Sequence, residues 1–145
     1  MSRAPSRPPL NRFAKTALWL NLMLSFGALT GGAALILGPR GEVIPLPLSN
    51  LRGSPFDTYF VPGWILFGVL GLGPLVAARV VWLRHPFAPL ATCVVGVALL
   101  VWLAVEIAII GFSVDPPLQP IYLLLGAAIL AVGLTWLARH DSLPS

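Results

Sequence analysis

The chain has 145 residues, of which 57% are hydrophobic and only 10% are charged, against about 25% charged residues in an ordinary soluble domain. Four stretches contain no Asp, Glu, Lys or Arg, namely residues 16–39, 58–78, 85–105 and 116–138. A bilayer core of about 30 Å needs roughly 20 apolar helical residues. The stretches therefore predict an all-α membrane protein with four transmembrane helices, and they exclude a soluble bundle, whose helices need a charged outer face.

The formal charge of +4 comes from basic residues that are distributed unevenly between the predicted spans. Seven of the nine precede the first span, lie between the second and third, or follow the fourth, whereas only Arg40 and Arg52 lie on the opposite side. This asymmetry is the positive-inside pattern, so we expect a multi-pass protein of the cell (inner) membrane with both termini in the cytoplasm. Membrane lipids, not nucleic acid, are the expected partners of the positive charge.

Basic and proline residues over 1–15 predict a disordered cytoplasmic tail before a first helix at residues 16–37. Within that helix, Gly27 and Gly31 form a Gly-x-x-x-Gly pair, which lets another helix approach closely. The approaching helix could belong to a second copy or to the same chain, and we favour packing within the monomer. Two polar residues one turn apart should point into the bundle, namely Asn21 and Ser25.

Residues 38–58, between the first two helices, form an unusually apolar loop with four prolines. We expect this loop to fold against the outer ends of the helices with its backbone polar groups paired. Ser54, Pro55 and Asp57 fit an N-cap, a first-turn proline and the third residue of a capping box. They predict that the second helix starts here and runs over residues 58–82.

The second helix contains Pro62 and Pro74, each of which lacks an N–H group and should bend it. Its four glycines allow close packing, so we place this helix centrally. The third helix is predicted over residues 88–112 and the fourth over residues 120–138. Residues 139–145 are predicted to form a cytoplasmic tail. The connections after the second and third helices are short, and a short connection makes the second and third helices antiparallel neighbours.

Several motifs in these segments resemble those of one family. They are Gly38-Pro39-Arg40-Gly41, Ser54-Pro55-Phe56-Asp57-x-Tyr59-x-x-Pro62-Gly63, Trp102-x-x-x-Glu106 and Gln119-Pro120-x-Tyr122. Together they are similar to small four-helix integral membrane proteins encoded in many bacteria, a family whose activity is uncharacterised. The resemblance covers most of residues 17–135. It implies the four-helix topology and carries no activity, cofactor or binding residue.

No combination of residues predicts catalysis, a cofactor or a metal site. His85 and His140 fall outside the spans, so a bis-histidine haem within the bilayer is not expected. Cys93 is the single cysteine, which excludes a disulfide within one chain and favours a buried, inert thiol. The span hydroxyl groups are expected to bond back to a carbonyl of their own helix. They belong to Ser25, Thr30 and Thr92.

Glu106 is an acidic residue within the third predicted helix, about 9 Å below its outer end. A carboxyl group facing lipid is costly, so Glu106 should face the bundle, where burial without a cation disfavours its charged form. The expected partners are a loop arginine, Arg52 or Arg40, or tyrosine hydroxyls. The residues predicted for a clamp on the loop or for a ligand site are Glu106, Trp102, Tyr59, Tyr122, Gln119 and Arg52.

Two main functional hypotheses follow from the sequence. The first is a non-enzymatic accessory or interaction subunit, in a homo-oligomer or with another membrane protein. The second is a small-ligand or lipid-binding protein, with proton-linked transport as one form, whose outward-facing pocket surrounds Glu106. A membrane enzyme is a distant third, since only Glu106 and the tyrosines support it.

Overall fold

The structure, a computed structural model, describes residues 10–45, 48–52, 54–112 and 118–142. Within these ranges the chain is helical, with no β-strand, and four helices are long and apolar enough to cross a membrane. We number them α1 (Arg12–Leu37), α2 (Phe60–Trp82), α3 (Ala88–Ile110) and α4 (Leu118–Ser142). The predicted all-α membrane bundle of four helices is confirmed.

α1 begins four residues before its predicted start, at Arg12. The side chain of Asn11 accepts a hydrogen bond from the Ala14 N–H at 2.7 Å and so caps the helix. The charge-free run began only at residue 16, because Lys15 interrupts the apolar pattern without interrupting the helix. A long basic side chain can reach the membrane surface while its backbone remains helical. The predicted tail over 1–15 is therefore wrong at residues 12–15, and residues 1–9 lie outside the described residues.

α4 is longer than predicted at both ends, running from Leu118 to Ser142 instead of over residues 120–138. The tail predicted at 139–145 is thus helical as far as Ser142, and residues 143–145 lie outside the described residues. α3 is slightly shorter than its predicted range of 88–112, because Gly111 leaves the helix with a positive φ of 81°. The connection at residues 113–117 also lies outside the described residues.

α2 begins at Phe60, and the capping box predicted at its start is wrong. The Ser54 hydroxyl accepts from the Phe56 N–H at 3.2 Å and donates to the Leu51 carbonyl at 2.7 Å, so it closes a turn before the helix. Because the helix starts late, Pro62 lies in its first turn. An N–H group there has no partner within the helix in any case. The loss of a helical bond predicted at Pro62 therefore does not arise.

Hydrogen bonding changes in the middle of α2, where Leu66–Leu72 is π-helical. Just after it, the Gly73 N–H donates to the Gly68 carbonyl, five residues back. Pro74 follows at once and has no N–H, so a regular α-helical ladder cannot pass through this point without interruption. A wider π turn is one way in which a helix accommodates such a break. The interruption predicted at Pro74 takes the form of a change of helix type.

The bundle core receives one large side chain from each helix, and each of these side chains is at most 2% exposed. They are Leu24, Leu70, Leu99 and Ile129. α1 packs against all three other helices, so the central position predicted for α2 belongs at least equally to α1. Of the four glycines on which that prediction rested, Gly68 and Gly73 have no atom within 4 Å of an added Cβ.

Close helix packing occurs within the monomer, as we favoured for the Gly-x-x-x-Gly pair. A Cβ on Gly27 would lie 2.5 Å from the Tyr122 hydroxyl of α4, and one on Gly31 would lie 3.6 Å from Leu66 of α2. α1 also approaches the backbone of α2 at Gly32, where a Cβ would lie 2.7 Å from the Phe67 backbone nitrogen. The glycine face of α1 is thus occupied by the chain's own helices.

We call the end of the bundle where α1 begins and α4 ends the terminal end, and the opposite end the loop end. At the loop end, Leu51 and Tyr59 are buried together with Leu35 of α1. A 3₁₀ turn, Leu48–Leu51, lies against α3, and the Tyr59 N–H donates to the Pro39 carbonyl at 2.8 Å. The expectation that the loop folds onto the helices is confirmed for its described residues.

Candidate functional site

Glu106 and Gln119 meet between α3 and α4, near the loop end. Gln119 is the second residue of α4 and is only 5% exposed. Its side-chain amide donates from Nε2 to Oε1 of Glu106 at 3.3 Å and to the Gly111 carbonyl at 3.1 Å. The Gly111 carbonyl follows the last turn of α3, where carbonyl groups lack donors within the helix. The Gln119 amide therefore joins the start of α4 to two points on α3, the Glu106 side chain and the carbonyl group at the helix end.

Trp102 completes this cluster from one turn earlier on α3. Its side chain lies close enough to the Glu106 carboxyl group to act on it electrostatically, and an indole can act only as a donor toward a carboxyl oxygen. Glu106 itself is half-buried. The three residues Glu106, Trp102 and Gln119, which we call the carboxyl cluster, are the part of the predicted site that the structure brings together.

The loop arginines do not pair with Glu106, so the predicted cation partner is wrong. Both Arg52 and Arg40 are exposed. Their backbone N–H groups bond locally, that of Arg52 to the Ser49 carbonyl at 3.2 Å and that of Arg40 to the Glu42 carboxylate at 2.8 Å. The loop buries apolar side chains at the loop end instead, and the charged ones remain at the surface, where water stabilises them.

The two tyrosines of the predicted site lie in different surroundings, Tyr59 at the loop end and Tyr122 against α1. Tyr59 is buried among the apolar residues of the loop end. Tyr122 extends to α1, where its hydroxyl lies against Gly27. The bonds of Gln119 to Glu106 and Gly111 join α3 to α4. Of the six residues proposed for one site, Glu106, Trp102 and Gln119 come together, and a clamp from Tyr59 of the loop to α3 stays a prediction.

Ser25 makes a contact that the sequence analysis missed. Its hydroxyl donates to the Gly71 carbonyl in the π-helical stretch of α2, at 2.6 Å, so the expected bond within α1 is wrong here. For Thr30 and Thr92 that expectation is confirmed, with bonds of 2.8 and 3.0 Å to carbonyls four residues back. Two features of the sequence point to this bond between helices: Ser25 is predicted to face inward, and the second helix contains Pro74, which interrupts its hydrogen bonding.

Asn21 and Cys93 are both buried within the bundle, as predicted. The Asn21 amide donates from Nδ2 to the Ala17 carbonyl at 2.9 Å, while its Oδ1 has no partner within the described part of the chain. The Cys93 thiol is free and packs against α4, where a Cβ on Gly133 would lie 2.8 Å from its sulfur atom.

His85 lies in the connection between α2 and α3 and is exposed, as predicted. The side chain of His140 lies outside the described residues. Among the residues that the structure describes, no three His, Cys, Asp or Glu side chains come together in a group that could hold a metal ion. No protein-family model, curated protein or solved structure matches this chain.

Proposed function

We propose that this chain is a non-enzymatic integral membrane protein that serves as an accessory or interaction subunit. The observation that carries the proposal is the use of the polar side chains within the spans. Glu106 is bonded by Gln119 across α3 and α4, and Ser25 is bonded to Gly71 across α1 and α2. Such bonds hold helices to one another where lipid offers no alternative partner. These polar side chains thus hold the helices of the bundle together, and the outer faces of the bundle remain apolar.

Co-purification tests the interaction role. The tagged full chain is extracted in a gentle detergent, cross-linked in parallel in native membranes, and its mass and partners are determined. We expect a stoichiometric membrane-protein partner or a homo-oligomer. A strictly monomeric chain without a partner in both preparations would argue strongly against the proposal. The variant Glu106→Gln is the matched control for bundle integrity, because its amide can still hydrogen-bond within the carboxyl cluster.

The charge distribution supports an orientation with both termini in the cytoplasm and the loop outside, in the inner membrane of a bacterial cell. Seven basic residues lie on the terminal side and two on the loop side. An impermeant thiol reagent tests this after Cys93 is replaced by alanine. A cysteine at Ser49, which is exposed, should be labelled from outside, whereas cysteines at Ser2 and Ser145 should not. The reverse labelling pattern would overturn the orientation.

A ligand-binding role at the carboxyl cluster is the second proposal. It is favoured by one observation: Glu106 remains half-buried although it lies within a span and is contacted by Trp102 and Gln119. A small polar or cationic molecule would bind at this half-buried carboxyl group. Native mass spectrometry of the protein from membranes tests this, with Glu106→Gln as the comparison. Identical bound species in both proteins, or none in either, would count against a ligand at this site.

A further inference from the structure

An apolar groove of about 500 Å³ runs along the surface between α2 and α3. Its lining consists only of Val, Leu, Ala, Gly and Phe residues, and the middle of its α2 wall is Gly73, where an added Cβ would meet nothing within 4 Å. The groove volume lies within the roughly 300–1,000 Å³ range of small-molecule sites. The helices do not close upon one another here, so something from the membrane must fill the space.

The length of the groove along the helices matches the thickness of one membrane leaflet. On α2 it extends from Val69 to Val80, and on α3 from Phe87 to Ala98. Eleven helical steps correspond to about 17 Å on each wall, close to half of the roughly 30 Å hydrocarbon core. A transmembrane helix of a partner would follow the whole thickness of the bilayer. A groove that covers only the half nearest the terminal end matches a lipid acyl chain of that leaflet.

Basic residues surround the mouth of the groove at the terminal end. Arg79 lies on the last turn of α2, three residues after the groove residue Val76 and hence on the same face. Arg84 and His85 belong to the connection that joins the two groove walls, and both are exposed. The N-terminus of α3, with its partial positive charge, begins at the same point. This end of an apolar groove is therefore complementary to an anionic head group.

Arg84 occupies a backbone position that favours glycine. Its φ is 57°, in the left-handed region that costs conformational energy for a residue with a Cβ. The Arg84 N–H donates to the Val81 carbonyl at 3.0 Å and the His85 N–H to the Val80 carbonyl at 3.2 Å. This is the bonding of a helix end at which glycine is usual. Strain at a non-glycine residue points to a role for its side chain, and Arg84 belongs to the connection that joins the two groove walls.

His85 is oriented by its neighbours at the same mouth. Its Nδ1 accepts a hydrogen bond from the Phe87 N–H at 3.1 Å. Its ring stacks on the Phe87 ring with centroids 5.3 Å apart. Since Nδ1 acts as the acceptor, Nε2 is the ring nitrogen that carries the proton in the neutral imidazole. Phe87 lines the groove, so a donor is held next to the place where an acyl chain would enter.

We propose that the groove between α2 and α3 binds one anionic phospholipid from the leaflet at the terminal end. One acyl chain lies in the groove against Gly73, and the phosphate group lies at Arg79, Arg84 and His85. This proposal is independent of the carboxyl cluster, which lies at the other end of α3.

Binding of the acyl chain is tested by substitutions that fill the groove. Native mass spectrometry of the full chain in detergent measures the binding of added phosphatidylglycerol. Gly73→Leu places a side chain in open space within the groove, so bound phosphatidylglycerol should fall about tenfold, the effect of roughly 1.4 kcal/mol. Gly68→Leu is the matched control, because its Cβ also meets nothing within 4 Å but Gly68 does not line the groove. Val94→Phe, on the opposite wall, repeats the test without altering α2.

The head-group part is tested by comparing phosphatidylglycerol with phosphatidylcholine of the same acyl chains. Arg84→Gly relieves the backbone strain and removes the charge, so the folded protein should persist while its preference for phosphatidylglycerol falls. Arg79→Gln should have the same direction of effect. We expect roughly fivefold for each arginine, which corresponds to about 1 kcal/mol per basic residue near an anionic membrane surface. Arg52→Gln, at the loop end, should leave the preference unchanged.

Three outcomes would overturn the proposal. The first is wild-type binding of phosphatidylglycerol by both Gly73→Leu and Val94→Phe. The second is an unchanged preference for phosphatidylglycerol in the Arg79 and Arg84 variants, which would exclude head-group recognition at the mouth. The third is a dimer in native spectra that Gly73→Leu dissociates, which would show that a second copy fills the groove instead of a lipid.

Discussion

Glycine has opposite roles in the two interfaces of α3. Against α4, a Cβ on Gly96 would lie 2.8 Å from the Leu130 backbone nitrogen, and one on Gly133 would lie 2.9 Å from the Cys93 backbone nitrogen. Against α2, the groove glycine Gly73 has no atom within 4 Å of an added Cβ. The first interface uses glycine to bring two backbones together, whereas the second leaves the space open.

The difference shows that small residues permit a close approach without producing one. The α3–α4 pair also has the carboxyl cluster, in which Glu106 and Gln119 bond across the interface. The open stretch of the α2–α3 interface is lined by apolar residues alone. Without a driving force between apolar helices in lipid, dispersion and a few polar contacts decide which surfaces close. The closed interface has both, and the open stretch is left to the membrane.

The largest expected effect comes from placing the same side chain in each interface. Gly96→Leu forces α3 and α4 apart, because its Cβ alone meets backbone atoms of Leu130. We expect a loss of about 3 kcal/mol or more, at the upper part of the range for overpacking. Gly73→Leu meets open space, so it should not lower the unfolding free energy, and the helix preference over glycine should raise it by up to about 1 kcal/mol.

Thermal unfolding in detergent, without added lipid, measures both variants. The matched control is Gly68→Leu, at a second open glycine on the same helix as Gly73. Equal losses for Gly96→Leu and Gly73→Leu would show that the two interfaces do not differ in the way the structure indicates.

A second test removes the polar bond that only the closed interface has. Glu106→Leu takes the carboxyl group away from the Gln119 amide and from Trp102, so we expect a loss of roughly 1–3 kcal/mol. Glu106→Gln should retain the fold, because an amide oxygen can still accept. Detergent-based thermal unfolding again measures both. Wild-type stability of Glu106→Leu would mean that the carboxyl cluster clamps nothing, and the ligand-binding proposal would gain.

The sequence predicts the four spans well because the bilayer excludes charge so strongly. Runs without charge place each helix to within about one turn. The errors at the start of α1 and at the end of α4 have a common cause: Lys15 and Arg139 are basic residues that lie within helices at the membrane surface. A charge marks where lipid contact ends, not where the helix ends. The capping box failed for a related reason, since Ser54 satisfies a turn in the loop as readily as it would a helix.

The candidate site was predicted only in part, because contacts between helices depend on their rotation. The spacing of Trp102 and Glu106 is local, one helical turn, and was predicted from the sequence. Gln119 reaches Glu106 because α3 ends at Gly111 and α4 begins close by. Tyr122 lies three residues after Gln119, yet it faces α1. A change of one residue in helical phase rotates a side chain by about 100°, and no pattern in one sequence determines it.

A smaller effect is expected at the α1–α2 interface, which resembles the closed interface of α3 in having both close glycines and a polar bond. Ser25→Ala removes the donor to the Gly71 carbonyl. Interhelical hydrogen bonds in membrane proteins average about 0.6 kcal/mol, and we expect a loss of that size. Thr30→Ala is the control, since its hydroxyl bonds within α1 and is exposed. Losses that do not differ between the two variants would remove Ser25 from the contacts that hold α1 to α2.

The smallest effect is expected for Gly27→Ala. It distinguishes a glycine that is opposed by a side chain from one that is opposed by backbone. At Gly27 the obstacle to a Cβ is the Tyr122 hydroxyl at 2.5 Å, the far end of a side chain, whereas at Gly96 the obstacle is backbone. Alanine in a helix is favoured over glycine by roughly 0.5–1 kcal/mol. Displacing one hydroxyl should offset most of this gain, so Gly27→Ala should change the unfolding free energy by less than about 0.5 kcal/mol.

Removing the hydroxyl should then reveal the gain that Gly27→Ala alone conceals. In a Tyr122→Phe background the nearest remaining ring atom lies 3.6 Å from the added Cβ, an ordinary contact distance. Gly27→Ala should therefore stabilise that background, by up to about 1 kcal/mol. The four proteins of this cycle are compared by thermal unfolding in one detergent. Gly96→Ala has no such rescue, because no side-chain truncation on α4 moves the Leu130 backbone. If Gly27→Ala destabilised both backgrounds equally, the limit at Gly27 would also be backbone, and the α1–α4 contact would be as closed as the α3–α4 interface.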